Sequence, residues 1–169
     1  GNKIEFYKEL RFPHSLGLLY SSFTAFLGFE VNEGEYKVMG MAPYGIPRYV
    51  NKIKKVVNIK RDGSIQLDMD YFTYHSTPDK NFNQKFEKLF AKARPGDELF
   101  FTKKTGYPRF WGKKPKNYKQ KLIENQKYAD IAASIQAVTE EIILKICNDI
   151  YKETGLTNLC MAGGVALNS

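Results

Sequence analysis

Thr157-Asn158-Leu159-Cys160-Met161-Ala162-Gly163-Gly164-Val165-Ala166-Leu167-Asn168-Ser169 closes the sequence. Leu159 to Ala162 are small or apolar and uncharged, the composition of a short buried strand. Gly163 and Gly164 follow at once, and Val165 to Asn168 suit the first turn of a helix. Strand, glycine pair and helix start make a place where a phosphate or ribose can approach bare backbone. The same pair also serves an ordinary turn, so two glycines alone do not separate a site from scaffold. A helix that has only begun cannot cover the strand before it. The chain is therefore expected to be a piece of a longer protein.

The segment leading into this stretch supports an α/β architecture. Tyr128 to Thr154 carries one apolar stripe, with Tyr128, Ile131, Ala132, Ile135, Val138, Ile142, Ile146 and Ile150, and Gly155 ends it. A helix running into a buried strand, then a glycine turn and a second helix, is α/β packing. At the other end, Ile4 to Leu10 alternates apolar and charged residues and is predicted as a strand. Phe12-Pro13-His14-Ser15 breaks it. Ser15 can cap a helix with apolar Leu16, Leu19, Tyr20, Phe23, Phe26 and Leu27, which Gly28 ends. Tyr36 to Ala42 is predicted as a short helix stopped by Pro43, and Arg48 to Val56 as another. Asn58 and Gln66 sit in alternating runs on either side of Arg61-Asp62-Gly63-Ser64, a hairpin signature. Tyr71 to Tyr74 extends the second strand in this reading. Asn81 to Lys92 is predicted helical, with Phe82, Phe86, Leu89 and Phe90 on one face.

Composition bounds the remainder. The 169 residues are 43% hydrophobic, enough for one domain with a core. Cys147 and Cys160 read as small core residues rather than a disulfide or metal ligands, which suits a reducing, cytoplasmic setting. No apolar run reaches membrane-spanning length. The net charge is +8. Much of the excess lies between Lys80 and Lys127, in Lys103, Lys104, Arg109, Lys113, Lys114, Lys116, Lys119, Lys121 and Lys127, interleaved with Tyr107, Phe110, Trp111 and Tyr118. Such a stretch serves either as a nucleic-acid surface or as a solvated loop balanced elsewhere. Phe100 to Asn117 is expected to be irregular, a lid or an interface.

Conventional catalytic constellations are missing. His14 and His75 have no metal-ligand spacing, no phosphate loop ending in lysine and serine or threonine is present, and no serine sits in a nucleophile elbow. Gly34 to Gly45 instead packs Gly34, Gly40, Gly45, Pro43, two tyrosines and Lys37 into a dozen residues. It is either a tight corner or a place where Lys37 supplies a point charge to a polyphosphate.

That segment, its lead-in His14 to Thr24 with Leu27-Gly28-Phe29, and the closing Met161 to Asn168 together resemble the O-carbamoyltransferases of the nodulation and antibiotic-tailoring type. Three separated motifs occur in the family's order, although residues 48–127 carry little of it and look like an insertion. The resemblance implies an internal fragment, residues 1–169, of the N-terminal, carbamoyl-transferring module. That module is similar to tRNA threonylcarbamoyl-transferring proteins. The implied fold is partial actin/sugar-kinase-like (ribonuclease H-like), with an inserted hairpin and an irregular basic loop. The implied parent enzyme moves a carbamoyl group from carbamoyl phosphate, through carbamoyl-adenylate made with ATP, to an acceptor hydroxyl.

By the same likeness Gly163 and Gly164 approach nucleotide, Asn168 touches it, and the helix start with Gly17 and Tyr20 lies on the ribose side. Lys37 is placed near phosphate by its charge alone. The metal ion expected in the parent has its histidine pair upstream of Gly1 and its acidic ligand beyond Ser169, and His14 does not replace them. The expected partners are the remainder of the polypeptide and a small-molecule acceptor, with no membrane. The fragment by itself is expected to be inactive. The alternatives are a sugar-kinase-like or chaperone-like ATPase module, and a nucleic-acid-binding module using residues 100–127.

Overall fold

The computed structural model describes residues 4–77 and 80–168; Ser169, the last residue of the closing stretch, lies outside them. Helices dominate. They are α1 (Leu16–Phe26), α2 (Glu35–Met41), α3 (Val50–Ile53), α4 (Gln84–Phe90) and α5 (Tyr118–Thr154), with one hairpin of β1 (Val57–Ile59) and β2 (Ile65–Leu67). Three single 3-10 turns cover Ala42–Tyr44, Arg109–Trp111 and Gly164–Leu167.

The long helix α5 is the spine. It runs 37 residues and starts ten residues before the apolar stripe begins. Residues 118–127 are mostly Lys, Gln, Glu and Leu, which favour helix without marking a buried face, so periodicity overlooked them. Ile131, Ala132, Ile135, Val138 and Ile142 are buried against α1, α2 and α3.

α1 forms where expected. The Ser15 Oγ accepts the Leu18 N–H (3.3 Å), and Leu16, Leu19, Tyr20, Phe23 and Phe26 are buried. Its carboxyl end is finished by a distant residue. Arg94 donates from its backbone N–H to Phe26 O (2.9 Å) and from its guanidinium to Leu27 O (3.1 Å). A buried cation at the negative end of a helix satisfies carbonyls that have no partner within the helix. α4 is capped by Asn83 and packs Phe86 and Phe90 on α1. Ring centroids of Phe23, Phe26, Phe86 and Phe90 lie 4.7–6.1 Å apart, mostly edge to face.

The hairpin pairs Val57 with Leu67 and Ile59 with Ile65. Its turn is held by Asp62, which accepts from the Ser64 N–H (3.0 Å) and hydroxyl (2.7 Å). These bonds hold the Asp62 carboxyl down at about 2. Tyr71 to Tyr74 do not extend β2; Phe72 instead makes a single bridge with Phe82.

Gly34 to Gly45 ends in a corner pressed onto α5. A Cβ on Gly45 would lie 2.0 Å from Ala129 O, so only glycine fits. Asp130 of α5, 5% exposed, accepts the Ile46 N–H (2.9 Å), and the Ser134 hydroxyl accepts the Tyr49 N–H (2.9 Å).

Two expected strands do not form among the described residues. Residues 4–10 and 157–162 have no strand assignment. Ile4 and Phe6 are 93% and 81% exposed, Leu159 and Met161 about half exposed, and Cys160 lies at the surface rather than in the core. A strand needs a partner for its backbone groups, and no described residue pairs with either segment in a sheet. Residues 4–10 are pinned instead by Lys8, which bridges Asp62 (3.2 Å) and Asp149 (2.6 Å). No helix among the described residues is long and apolar enough to cross a membrane.

Candidate functional site

A cleft of about 660 Å³ opens where three elements meet. That volume is within the usual range for a small-molecule site. One wall is the start of α1, with Ser15, Gly17, Tyr20 and Ser21. The second is the approach to α2 and its first turns, with Asn32, Glu33, Glu35, Tyr36 and Met39. The third is the closing 3-10 turn, with Gly164, Val165, Leu167 and Asn168.

Each wall has a local cause. Helical spacing puts Gly17, Tyr20 and Ser21 on one face of α1. Gly17 faces the closing turn: a Cβ built there would meet the Val165 side chain at 3.7 Å, an ordinary van der Waals contact. Gly163 has φ +102°, which side-chain-bearing residues rarely adopt, and this reverses the chain into the 3-10 turn. Glu35 locks the second wall to the first. Its Oε1 accepts the Ser21 hydroxyl (2.8 Å) and the Asn32 N–H (3.1 Å).

Behind these walls lies a polar network. The Tyr20 hydroxyl donates to Gln136 Oε1 of α5 (3.0 Å), and Gln136 Nε2 donates to Asn168 Oδ1 (2.6 Å). Burial pushes the Tyr20 phenol up to about 12, the Asn168 amide opposes this, and the charges of Glu35 and Glu140 add to it. Tyr20 is therefore a neutral donor at physiological pH. Among the described residues, the charged side chains lining the cleft are both carboxylates, Glu33 and Glu35.

Of the residues singled out in the sequence, Gly17, Tyr20, Gly164 and Asn168 line this one cleft, and Gly163 forms the bend leading into it. Residues 148 or more apart in sequence, Gly17 and Val165, meet here. Lys37 does not line it. Its ammonium lies over the rings of Phe29 (5.9 Å) and Tyr36 (5.8 Å). Sequence reasoning missed Ser21, Glu35 and Gln136. Ser21 was within reach, being one helical turn beyond Gly17. Glu35 and Gln136 carry no local signal, because their roles arise from contacts across elements.

Neither histidine contributes to the cleft. His14 Nδ1 accepts the Leu67 N–H (3.2 Å), and His75 packs edge-on against Tyr74. Among the described residues no group of three or more His, Cys, Asp or Glu could hold a metal ion. The basic loop is built differently. Phe101 is buried and stacks on Tyr118 (5.3 Å), with Tyr107 and Trp111 packed edge-on around them. Of its cations, Lys114 lies over the Tyr118 ring (4.5 Å) and Lys104 donates to Pro43 O (3.3 Å).

Comparison with known proteins gives the arrangement a family. Residues 1–169 match the family described as carbamoyltransferase N-terminus. The chain is 46% identical over 169 residues to the uncharacterized protein sll1178 of Synechocystis, covering 99% of this chain and 24% of that protein. It is 29% identical over 156 residues to nodulation protein NolO of Bradyrhizobium diazoefficiens (92% and 22%). Against nodulation protein NolNO of Sinorhizobium fredii it is 27% identical over 160 residues (93% and 18%). The chain thus spans a quarter or less of the length of these relatives. On the match along its whole length, this chain belongs to the carbamoyltransferase N-terminal family.

Proposed function

We propose that this chain is the nucleotide-holding part of an ATP-dependent O-carbamoyltransferase. The enzyme moves a carbamoyl group from carbamoyl phosphate, by way of carbamoyl-adenylate, to an acceptor hydroxyl. One observation carries the reading: the helix start with Gly17 and Tyr20 and the closing turn with Gly164 and Asn168, far apart in sequence, wall the same cleft. Family membership supplies the reaction class.

The charges give the nucleotide a direction. Carboxylates at Glu33 and Glu35 repel phosphate and accept hydrogen bonds from hydroxyls, so the ribose lies on the α2 side. The triphosphate then extends toward Gly163 and Gly164, where no side chain covers the backbone: nothing lies within 4 Å of a Cβ built on either glycine. Asn168 and Tyr20 offer neutral polar groups between these ends. The role of these residues is to bind and orient. The adenosine portion is a handle whose binding energy positions the reacting carbonyl. A metal would find no ligand set among the described residues, and no step assigned to them runs through one.

The fold is read as part of an actin/sugar-kinase-like module whose sheet is completed by the rest of the polypeptide. The extended segments 4–10 and 159–162, with exposed Ile4, Phe6, Leu159 and Met161, are the strands it would take up. The acceptor hydroxyl lies on a small molecule, and transfer requires the full-length protein.

Calorimetric titration of ATP into the chain and into Asn168→Ala tests the site. Binding that weakens in the variant supports it. Binding of equal strength in both would place the nucleotide elsewhere. Pyrophosphate release by the full-length protein, given ATP and carbamoyl phosphate, tests the reaction.

A further inference from the structure

Gln136 does not line the cleft, yet its amide joins two residues that do. Oε1 accepts from the Tyr20 hydroxyl (3.0 Å). Nε2 donates to Asn168 Oδ1 (2.6 Å) and to Glu140 Oε1 (3.1 Å). Glu140 decides which way the amide faces. A carboxylate accepts and cannot donate, so the Gln136 nitrogen must face it, and the oxygen is left for Tyr20. The choice passes on to Asn168. With Oδ1 drawn to Gln136 and one Asn168 N–H directed at the Tyr20 oxygen, the second N–H is the donor left for a ligand.

We propose that Gln136 is a positioning residue that fixes the Asn168 side chain as a hydrogen-bond donor toward an acceptor atom of the bound nucleotide. The inference rests on the nucleotide reading of the cleft. It adds a direction to that reading: the closing turn recognises an acceptor on its ligand, and α5 enforces this from outside the cleft. Gln136 joins three separate elements, α1, α5 and the closing turn, so it also couples occupation of the cleft to the order of that turn.

Gln136→Glu separates this role from packing. Glutamate has the same shape and still accepts from Tyr20, but its ionised form cannot donate to Asn168 Oδ1; Glu140→Gln accompanies it, and is carried alone as the control, so that no second carboxylate faces the new one. Asn168 would then turn its NH₂ toward the new carboxylate and present Oδ1 to the cleft, an acceptor facing an acceptor. The readout is ATP-dependent protection of residues 15–21 and 163–168 from hydrogen exchange in the full-length protein, which reports on this cleft alone. Gln136→Glu and Gln136→Ala should each raise the ATP concentration for half-protection about tenfold, the upper scale of one neutral hydrogen bond. Asn168→Ala should do the same, and Gln136→Ala with Asn168→Ala should be no weaker than Asn168→Ala alone. Wild-type affinity in Gln136→Glu, or multiplying effects in the double variant, would overturn the positioning role and leave the nucleotide reading intact. Absence of ATP protection in the wild-type protein would overturn both.

Discussion

The cleft and the basic loop are opposites. Seven cations and no carboxylate fall between residues 103 and 119: Lys103, Lys104, Arg109, Lys113, Lys114, Lys116 and Lys119. They account for +7 of the net +8, so the rest of the chain is nearly neutral. The loop also holds Phe110, 84% exposed. By composition it is the conspicuous part of the molecule. Yet its other rings are turned inward, on one another. Among the described residues the cleft has no cation on its walls and no conspicuous composition, but it is concave and its polar groups converge. Charge marks where a polyanion can be attracted, whereas a small-molecule site needs enclosure.

Four experiments can break or sharpen that contrast. The largest effect is expected from Phe101→Ala. The ring is buried and stacked on Tyr118, so its loss should cost about 3–5 kcal/mol in denaturant unfolding. A cost under about 1 kcal/mol would mean that the loop is an open surface rather than a packed element. Next is Asn168→Ala, which should weaken ATP binding about tenfold by calorimetry while leaving the melting temperature nearly unchanged. If the variant melts far lower with unaltered affinity, the closing turn is scaffold and the cleft loses its function.

Third, the combined change of Lys113, Lys114 and Lys116 to Gln should alter ATP affinity less than about twofold. It should shift stability by no more than about 0.5 kcal/mol, since these side chains are exposed and no carboxylate among the described residues pairs with them. A tenfold loss of ATP affinity would show that the loop supplies phosphate contacts after all.

The smallest effect is a pH dependence remote from both regions. The folded Asp62 carboxyl is held at about 2, below its usual value of 3.8, chiefly by the Ser64 hydrogen bonds. A depressed carboxylate contributes stability above its unfolded value and loses it as pH falls through the folded one. Wild type should therefore lose stability relative to Asp62→Asn between about pH 4 and 2. Parallel curves across that window would show that the turn bonds do not favour the charged form.

Much of the local structure was legible from residues. The Ser15 cap, the apolar spacing of α1 and α5, the Asp62-Gly63 turn and the helical Phe86 and Phe90 all follow from rules that act within a few positions. The two expected strands that do not form show where such rules stop. Leu159 to Ala162 has strand composition, but a strand is a relation between segments, and no described residue pairs with it. The start of α5 was missed for the converse reason: helix-favouring polar residues there show no buried face.

The candidate site divides along the same line. Gly163 and Gly164 stand out because glycines beside a strand-like run have a local meaning, whereas Asn168, Gly17 and Tyr20 stand out only through the resemblance to the family. The sequence by itself determined these pieces and their family, since backbone conformation and helical phase are set by neighbours in the chain. Only the tertiary structure decided that they face one another across a cleft. Only it placed Lys37 outside, brought Glu35 onto Ser21, and set Gln136 between Tyr20 and Asn168. Those contacts span from 14 to 116 residues of chain. They exist because burying the apolar stripe of α5 against α1 and α2 fixes the directions in which the polar groups on their flanks must point.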